Sequence, residues 1–65
     1  MNSDQLQGKW RQLKGEAIRQ WGKLSSDDAD VVQGDREALI GKIQERYGKS
    51  REEAEREVND WIHRM

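Results

Sequence analysis

The six glycines of this 65-residue chain fall in two triplets with a seven-residue step, Gly8, Gly15, Gly22 and then Gly34, Gly41, Gly48. The second triplet is the first displaced by 26 positions, and other residues move with it. Gln7 maps to Gln33, Leu13 to Leu39, Lys23 to Lys49, and Trp21 to the aromatic Tyr47. A recurrence of this kind marks a duplicated supersecondary unit and restricts the fold before any single element is considered. The predicted units span residues 7–32 and 33–62, inside one domain over 1–65.

Proline is absent and strand-like alternation never persists, so the chain reads as all-α. A first helix is predicted from Ser3 or Asp4, with Leu6, Trp10, Leu13, Ala17 and Trp21 forming an apolar stripe on one face. It should stop at Gly22, where glycine takes the left-handed cap conformation cheaply, with Leu24 folding back onto the last turn. Ser25 is a suitable N-cap for a short second helix, which has Asp27 and Asp28 in its first turn and carries Ala29, Val31 and Val32. A third helix from Asp35 to Tyr47 offers Leu39, Ile40, Ile43 and Tyr47 to the core, and Gly48 repeats the stop expected of Gly22. Ser50 and Glu53 form a capping box for a fourth helix, whose inner face is Ala54, Val58, Trp61 and Ile62. The prediction is therefore a bundle of about four helices, made as two similar helical hairpins packed together. Gly8 and Gly34 serve as flexible entries to the two units.

Such a bundle has little to hold it together. Leu, Ile and Val number 11 of 65 residues and Phe is absent, a low fraction at which disorder competes when net charge is high. Here 12 basic residues nearly cancel 13 acidic ones, leaving a net charge of −1, which suits solvated helices laced with ion pairs. Three Trp and one Tyr supply part of the missing apolar area. No cysteine is present to form a disulfide or a thiolate metal site. The longest apolar run is Ala38-Leu39-Ile40, too short for a membrane span or a signal-peptide core, so a cytoplasmic protein is expected.

The residues offer no catalytic constellation. His63 is the only histidine and sits near the C-terminus, while Ser25 and Ser50 are committed to capping and Ser3 and Ser26 flank helix starts. Asp27, Asp28 and Asp30 cluster, but an EF-hand beginning at Asp28 would have Val32 and Gln33 where an acceptor and a glycine are needed. Glycines seven apart lie on separate turns and build no phosphate-binding nest. No enzyme, cofactor or metal is therefore expected.

Two features remain as a candidate interaction surface. Gly15 and Gly41 lie inside long helices, project away from the apolar stripes, and should each cost about 1 kcal/mol relative to Ala. They either permit a close helix crossing, simply weaken their helices, or keep a face smooth for a partner helix such as a second copy. The second feature is basic. Residues 1–24 carry a net charge of +3 against −4 for 25–65, with Lys9, Arg11 and Lys14 among the N-terminal cations. Lys9-Trp10-Arg11 and Arg19-Gln20-Trp21-Gly22-Lys23 interleave basic and aromatic residues as nucleic-acid surfaces do. Both Trp residues, however, fall on the core stripe, and the cations are dispersed around the helix. Nucleic-acid binding through the N-terminal helix is thus the weakest of the binding readings.

Several segments together resemble the CsbD-like family of small bacterial stress proteins. They are Met1-Asn2-x-Asp4, Gly8-x-Trp10-x-Gln12-x-Lys14-Gly15, and Gln20-Trp21-Gly22-Lys23-Leu24-Ser25 with the acidic pair after it. Gly34-x-Arg36-x-x-Leu39-x-Gly41-Lys42-Ile43-Gln44-Glu45-Arg46-Tyr47-Gly48 follows, with Glu53-Ala54-Glu55 beyond. Ser26 stands where a third acidic residue is expected and Gln33 where Glu is expected. The resemblance implies a cytoplasmic protein accumulating under general, osmotic or starvation stress, and two helical hairpins in a layout similar to SAM-type domains. It supplies no catalytic residue and no cofactor. A mean hydropathy of −1.24 agrees with a non-enzymatic protein acting by macromolecular protection or protein binding. A small adaptor or homodimerising module is the alternative; the partner is not identified.

Overall fold

The computed structural model describes residues 3–64; Met1 and Asn2, which open the first motif, and Met65 lie outside the described residues. Five α-helices follow one another, and among the described residues there is no strand: α1 (Ser3–Gly8), α2 (Trp10–Gln20), α3 (Ser26–Val32), α4 (Arg36–Tyr47) and α5 (Arg51–Arg64). The most extensive helix contact joins α4 to α5, and α3 packs on α4 and α2 on α3.

The predicted first helix is two helices, which corrects the count from four to five. Lys9 interrupts it with φ −106° and ψ 9°, and α2 begins without a side-chain cap or an acidic first turn. The backbone stays hydrogen-bonded through the bend: Lys9 N–H donates to Gln5 O at 3.0 Å, and Lys9 O accepts from Gln12 and Leu13 at 2.9 Å. Gly8 weakens the helix locally, and α1 meets the α3–α4 connection, where Gly34 lies against Gln7. A locally weak point and a tertiary contact thus meet at the bend.

Helix stops also differ from expectation at one glycine. Gly48 closes α4 in the left-handed conformation (φ 66°) and donates to Gln44 O. Gly22 does not do this for α2. The helix ends at Gln20, and Trp21 acts as C-cap with φ −120° and ψ 89°, its N–H donating to Ala17 O. That backbone turns the indole into the core, where Trp21 is 2 % exposed. Left-handed backbone appears instead at Gln33 (φ 51°) and Gly34 (φ 79°) after α3. Gly34 is no flexible entry: a Cβ built there would lie 2.5 Å from Gln7 Cα, so the position admits only glycine.

Ser25 caps α3 with a full capping box, Ser25 Oγ accepting from Asp28 N–H and Asp28 Oδ2 accepting from Ser25 N–H, both at 3.1 Å. Asp35 caps α4 through Glu37 N–H at 3.0 Å, and Ser50 Oγ accepts from Glu53 N–H at 3.2 Å. The core unites Leu6, Trp10, Ala17, Trp21 and Leu24 with Ala29, Val32, Leu39, Ile40, Ile43, Ala54, Val58, Trp61 and Ile62. Leu13 and Tyr47 are half-buried against it, whereas Val31 points outward. Trp21 and Trp61 meet edge to face, their centroids 5.2 Å apart at 69°, and so fasten the end of α2 to α5.

Candidate functional site

The candidate residues on α2 and α4 are not gathered into one pocket. Gly15 and Gly41 are exposed, and a Cβ built on either meets nothing within 4 Å. The close-crossing reading is therefore excluded within one copy of the chain. Lys9 is the exposed N-cap of α2 and Arg11 is exposed in its first turn, but Lys14 reaches across to Asp30 on α3 in an ion pair. These three cations are separated by their roles.

The aromatic residues are committed to the interior. Trp10 is 7 % exposed, and its indole N–H donates to Ala29 O at 2.9 Å. Trp21 Nε1 donates to Glu57 Oε1 at 3.1 Å, while Lys49 pairs with Glu57 Oε2. Lys49 holds the Glu57 carboxyl below its ordinary pKa, against the opposing effect of burial, and Trp21 helps through its hydrogen bond. Neither indole is presented as a stacking platform.

At the junction of α2 and α4 two lysines, 26 residues apart, lie close to one ring. Lys23 Nζ and Lys49 Nζ each lie 5.1 Å from the Tyr47 centroid. The Tyr47 hydroxyl also accepts from Lys23 N–H at 3.1 Å, closing the loop after α2 onto the end of α4.

The residue whose role sequence reasoning missed is Asp28. It is the buried charged residue among those described, and its capping-box carboxylate also takes two bonds from Arg46. Lys42 Nζ stands 3.8 Å away. The Arg46 hydrogen bonds, then the Ser25 N–H, hold the carboxyl well below the usual carboxylate range, with burial opposing and the Arg46 and Lys42 charges assisting. Its oxygens are thus occupied by protein donors. The Ser25-x-x-Asp28 spacing signals the cap; nothing local signals Arg46.

A shallow groove between α2 and α5 is lined by Glu16, Arg19, Gln20, Trp61 and Arg64, and another on α5 by Glu52, Glu55, Arg56, Asn59, Asp60 and His63. Among the described residues no group of three His, Cys, Asp or Glu side chains has metal-binding geometry, and no helix is long and apolar enough to cross a membrane. The architecture is that of a helix bundle with a charged exterior.

Comparison with known proteins agrees with the sequence motifs. A family model described as CsbD-like matches residues 4–56. The chain is 56 % identical to UPF0337 protein ECA0631 of Pectobacterium atrosepticum over 61 residues, covering 94 % of this chain and 88 % of that protein. It is 52 % identical to UPF0337 protein YjbJ of Escherichia coli K12 with the same coverage. UPF0337 protein PA4738 of Pseudomonas aeruginosa is 51 % identical over 65 residues, the full length of both. With its motifs and its full-length relatives in agreement, the chain belongs to the CsbD-like family.

Proposed function

We propose that the chain is a non-enzymatic bacterial stress-response protein that acts on other macromolecules by protection. The observation that carries this reading is its membership of the CsbD-like family. The character of its surface supports it. Among the described residues Val31 is the single exposed large hydrophobic, and charged side chains cover the helices. Ion pairs such as Arg19–Glu16, Arg51–Glu37 and Arg51–Glu55 are exposed on both sides, a kind that adds little to stability. A small domain with a thin core lies close to its unfolding threshold. Loss of water would loosen it and release charged helices to lie against other proteins. On this reading its place of action is the cytoplasm, and the units at 7–32 and 33–62 are two hairpins, α2–α3 and α4–α5. The starts of α2 and α4, at Trp10 and Arg36, differ by the repeat displacement.

The test is recovery of a labile enzyme after heating or drying, with this protein and with an equal mass of an inert globular protein. Higher recovery with this protein is expected. Equal recovery would remove the protective reading.

A further inference from the structure

Gly15 is the centre of a ridge on α2, and Gly41 is the centre of the matching ridge on α4. Residues at i, i+4 and i+8 of a helix stand above one another on one side. On α2 these are Arg11, Gly15 and Arg19; on α4 they are Glu37, Gly41 and Glu45, and all six are exposed. The 26-residue displacement maps the first set onto the second residue for residue, Arg11 to Glu37, Gly15 to Gly41 and Arg19 to Glu45. The duplication therefore keeps the glycine and reverses both charges.

We propose that the α2 ridge of one copy docks on the α4 ridge of a second copy, with Gly15 against Gly41 and the arginines of one ridge on the carboxylates of the other. Four relationships favour a second copy as the occupant. The chain carries both complementary halves at the same spacing, so a second copy is matched without any other partner. Open space above both glycines lets two helix backbones approach closely, which a Cβ would hold apart. Arg11 has no ion-pair partner among the described residues. The others have existing partners, each reached from the exposed side chain of the ridge: Arg19 with Glu16 at 3.5 Å, Glu45 with the half-buried Lys42 at 3.7 Å, and Glu37 with the half-buried Arg36 and with Arg51. Arg11 against Glu45 and Arg19 against Glu37 gives the antiparallel arrangement, in which the helix dipoles also oppose. Contact of two different ridges is heterologous: one copy keeps its α4 ridge free and the other its α2 ridge, for closure or extension. This association does not depend on the protective reading, and enzyme recovery and solution mass report on the two separately.

The test is solution mass by light scattering or sedimentation, from micromolar to millimolar protein, at low salt and again at about 1 M salt, where the screening length falls to about 3 Å. The wild type should exceed its monomer mass of 7.6 kDa as concentration rises, and return to it at high salt. Arg11→Glu with Arg19→Glu makes both ridges acidic, and Glu37→Arg with Glu45→Arg makes both basic. Each double variant alone should be monomeric, and an equimolar mixture of the two should associate. Gly15→Leu and Gly41→Leu, at exposed positions where a Cβ meets nothing within 4 Å, should each weaken association at least tenfold while leaving helicity unchanged. A wild type that is monomeric throughout, a mixture that does not associate, or a reversed variant that self-associates as well as the wild type would each overturn the proposal.

Discussion

Arg46 holds Asp28 through both carboxylate oxygens, Nε to Oδ2 at 3.0 Å and Nη2 to Oδ1 at 2.8 Å, across 18 residues of sequence. Because the same carboxylate caps α3, one side chain sets the start of α3 and its position on α4. Folding lowers the Asp28 pKa, so its contribution is complete above the ordinary carboxylate value of about 4 and is lost as pH falls below it. Glu57, also lowered, acts with the same sign. The melting temperature should be level from neutrality to about pH 5 and then fall continuously. Asp28→Asn should melt lower at pH 7 and show a shallower acid limb, whereas Asp30→Asn, at an exposed pair, should barely change. A wild-type acid limb no steeper than that of Asp28→Asn would remove this carboxylate from the account.

The glycines should separate by backbone and space rather than by repeat position. Gly15→Ala and Gly41→Ala place a methyl in open space on a helix and should each stabilise the monomer by about 1 kcal/mol, or roughly 4–8 °C. Gly48→Ala meets no neighbour but keeps φ 66°, and should destabilise by about 1–2 kcal/mol. Gly34→Ala combines φ 79° with a clash against the α1 backbone and should be the most damaging of the set. Thermal melts of the four variants at low protein concentration and high salt check the order; a Gly34→Ala protein melting above Gly48→Ala would contradict it.

Tyr47 should show its two functions in two variants. Tyr47→Phe keeps the ring beside Lys23 and Lys49 but removes the acceptor for Lys23 N–H, at a cost of about 1 kcal/mol or less. Tyr47→Leu removes the ring as well and should melt lower still. Amide exchange at Lys23 should accelerate in Tyr47→Phe while exchange in the middle of α4 changes little. Unchanged exchange at Lys23 would mean that this bond does not secure the loop.

What the sequence made legible is what short-range physics controls. Ser25, Ser50 and Gly48 act within a few residues of themselves, so their capping roles follow from local chain geometry. The apolar stripes of α4 and α5 also follow from a period of 3.6, and Leu39, Ile40, Ile43, Ala54, Val58, Trp61 and Ile62 are buried as expected. The restriction at Gly34 and the Arg46 grip on Asp28 depend on elements far apart in sequence. Gly22 shows the same limit, since the demand to bury Trp21 overrides the usual glycine cap. Exposure of Gly15 and Gly41 was readable from helical angle, but their lack of any intrachain neighbour was not.

Trp21 is the position where the small core is most vulnerable. Its ring packs on Trp61 and its N–H is tied to Glu57, so it joins α2 to α5 by apolar and polar contact together. Trp21→Ala should cost about 3–5 kcal/mol. At about 0.05–0.15 kcal/mol per residue, the whole domain has roughly 3–10 kcal/mol available. The variant should therefore be substantially unfolded at 25 °C or lose a cooperative urea transition. Trp21→Phe retains a ring against Trp61 and leaves Glu57 with Lys49, so it should stay folded with a loss of about 1–2 kcal/mol. Glu57→Gln, which still offers Trp21 an acceptor, should fall between Trp21→Phe and the wild type. Urea unfolding followed by circular dichroism orders the three, and a Trp21→Ala midpoint close to the wild type would show that α5 is held by its contact with α4 alone.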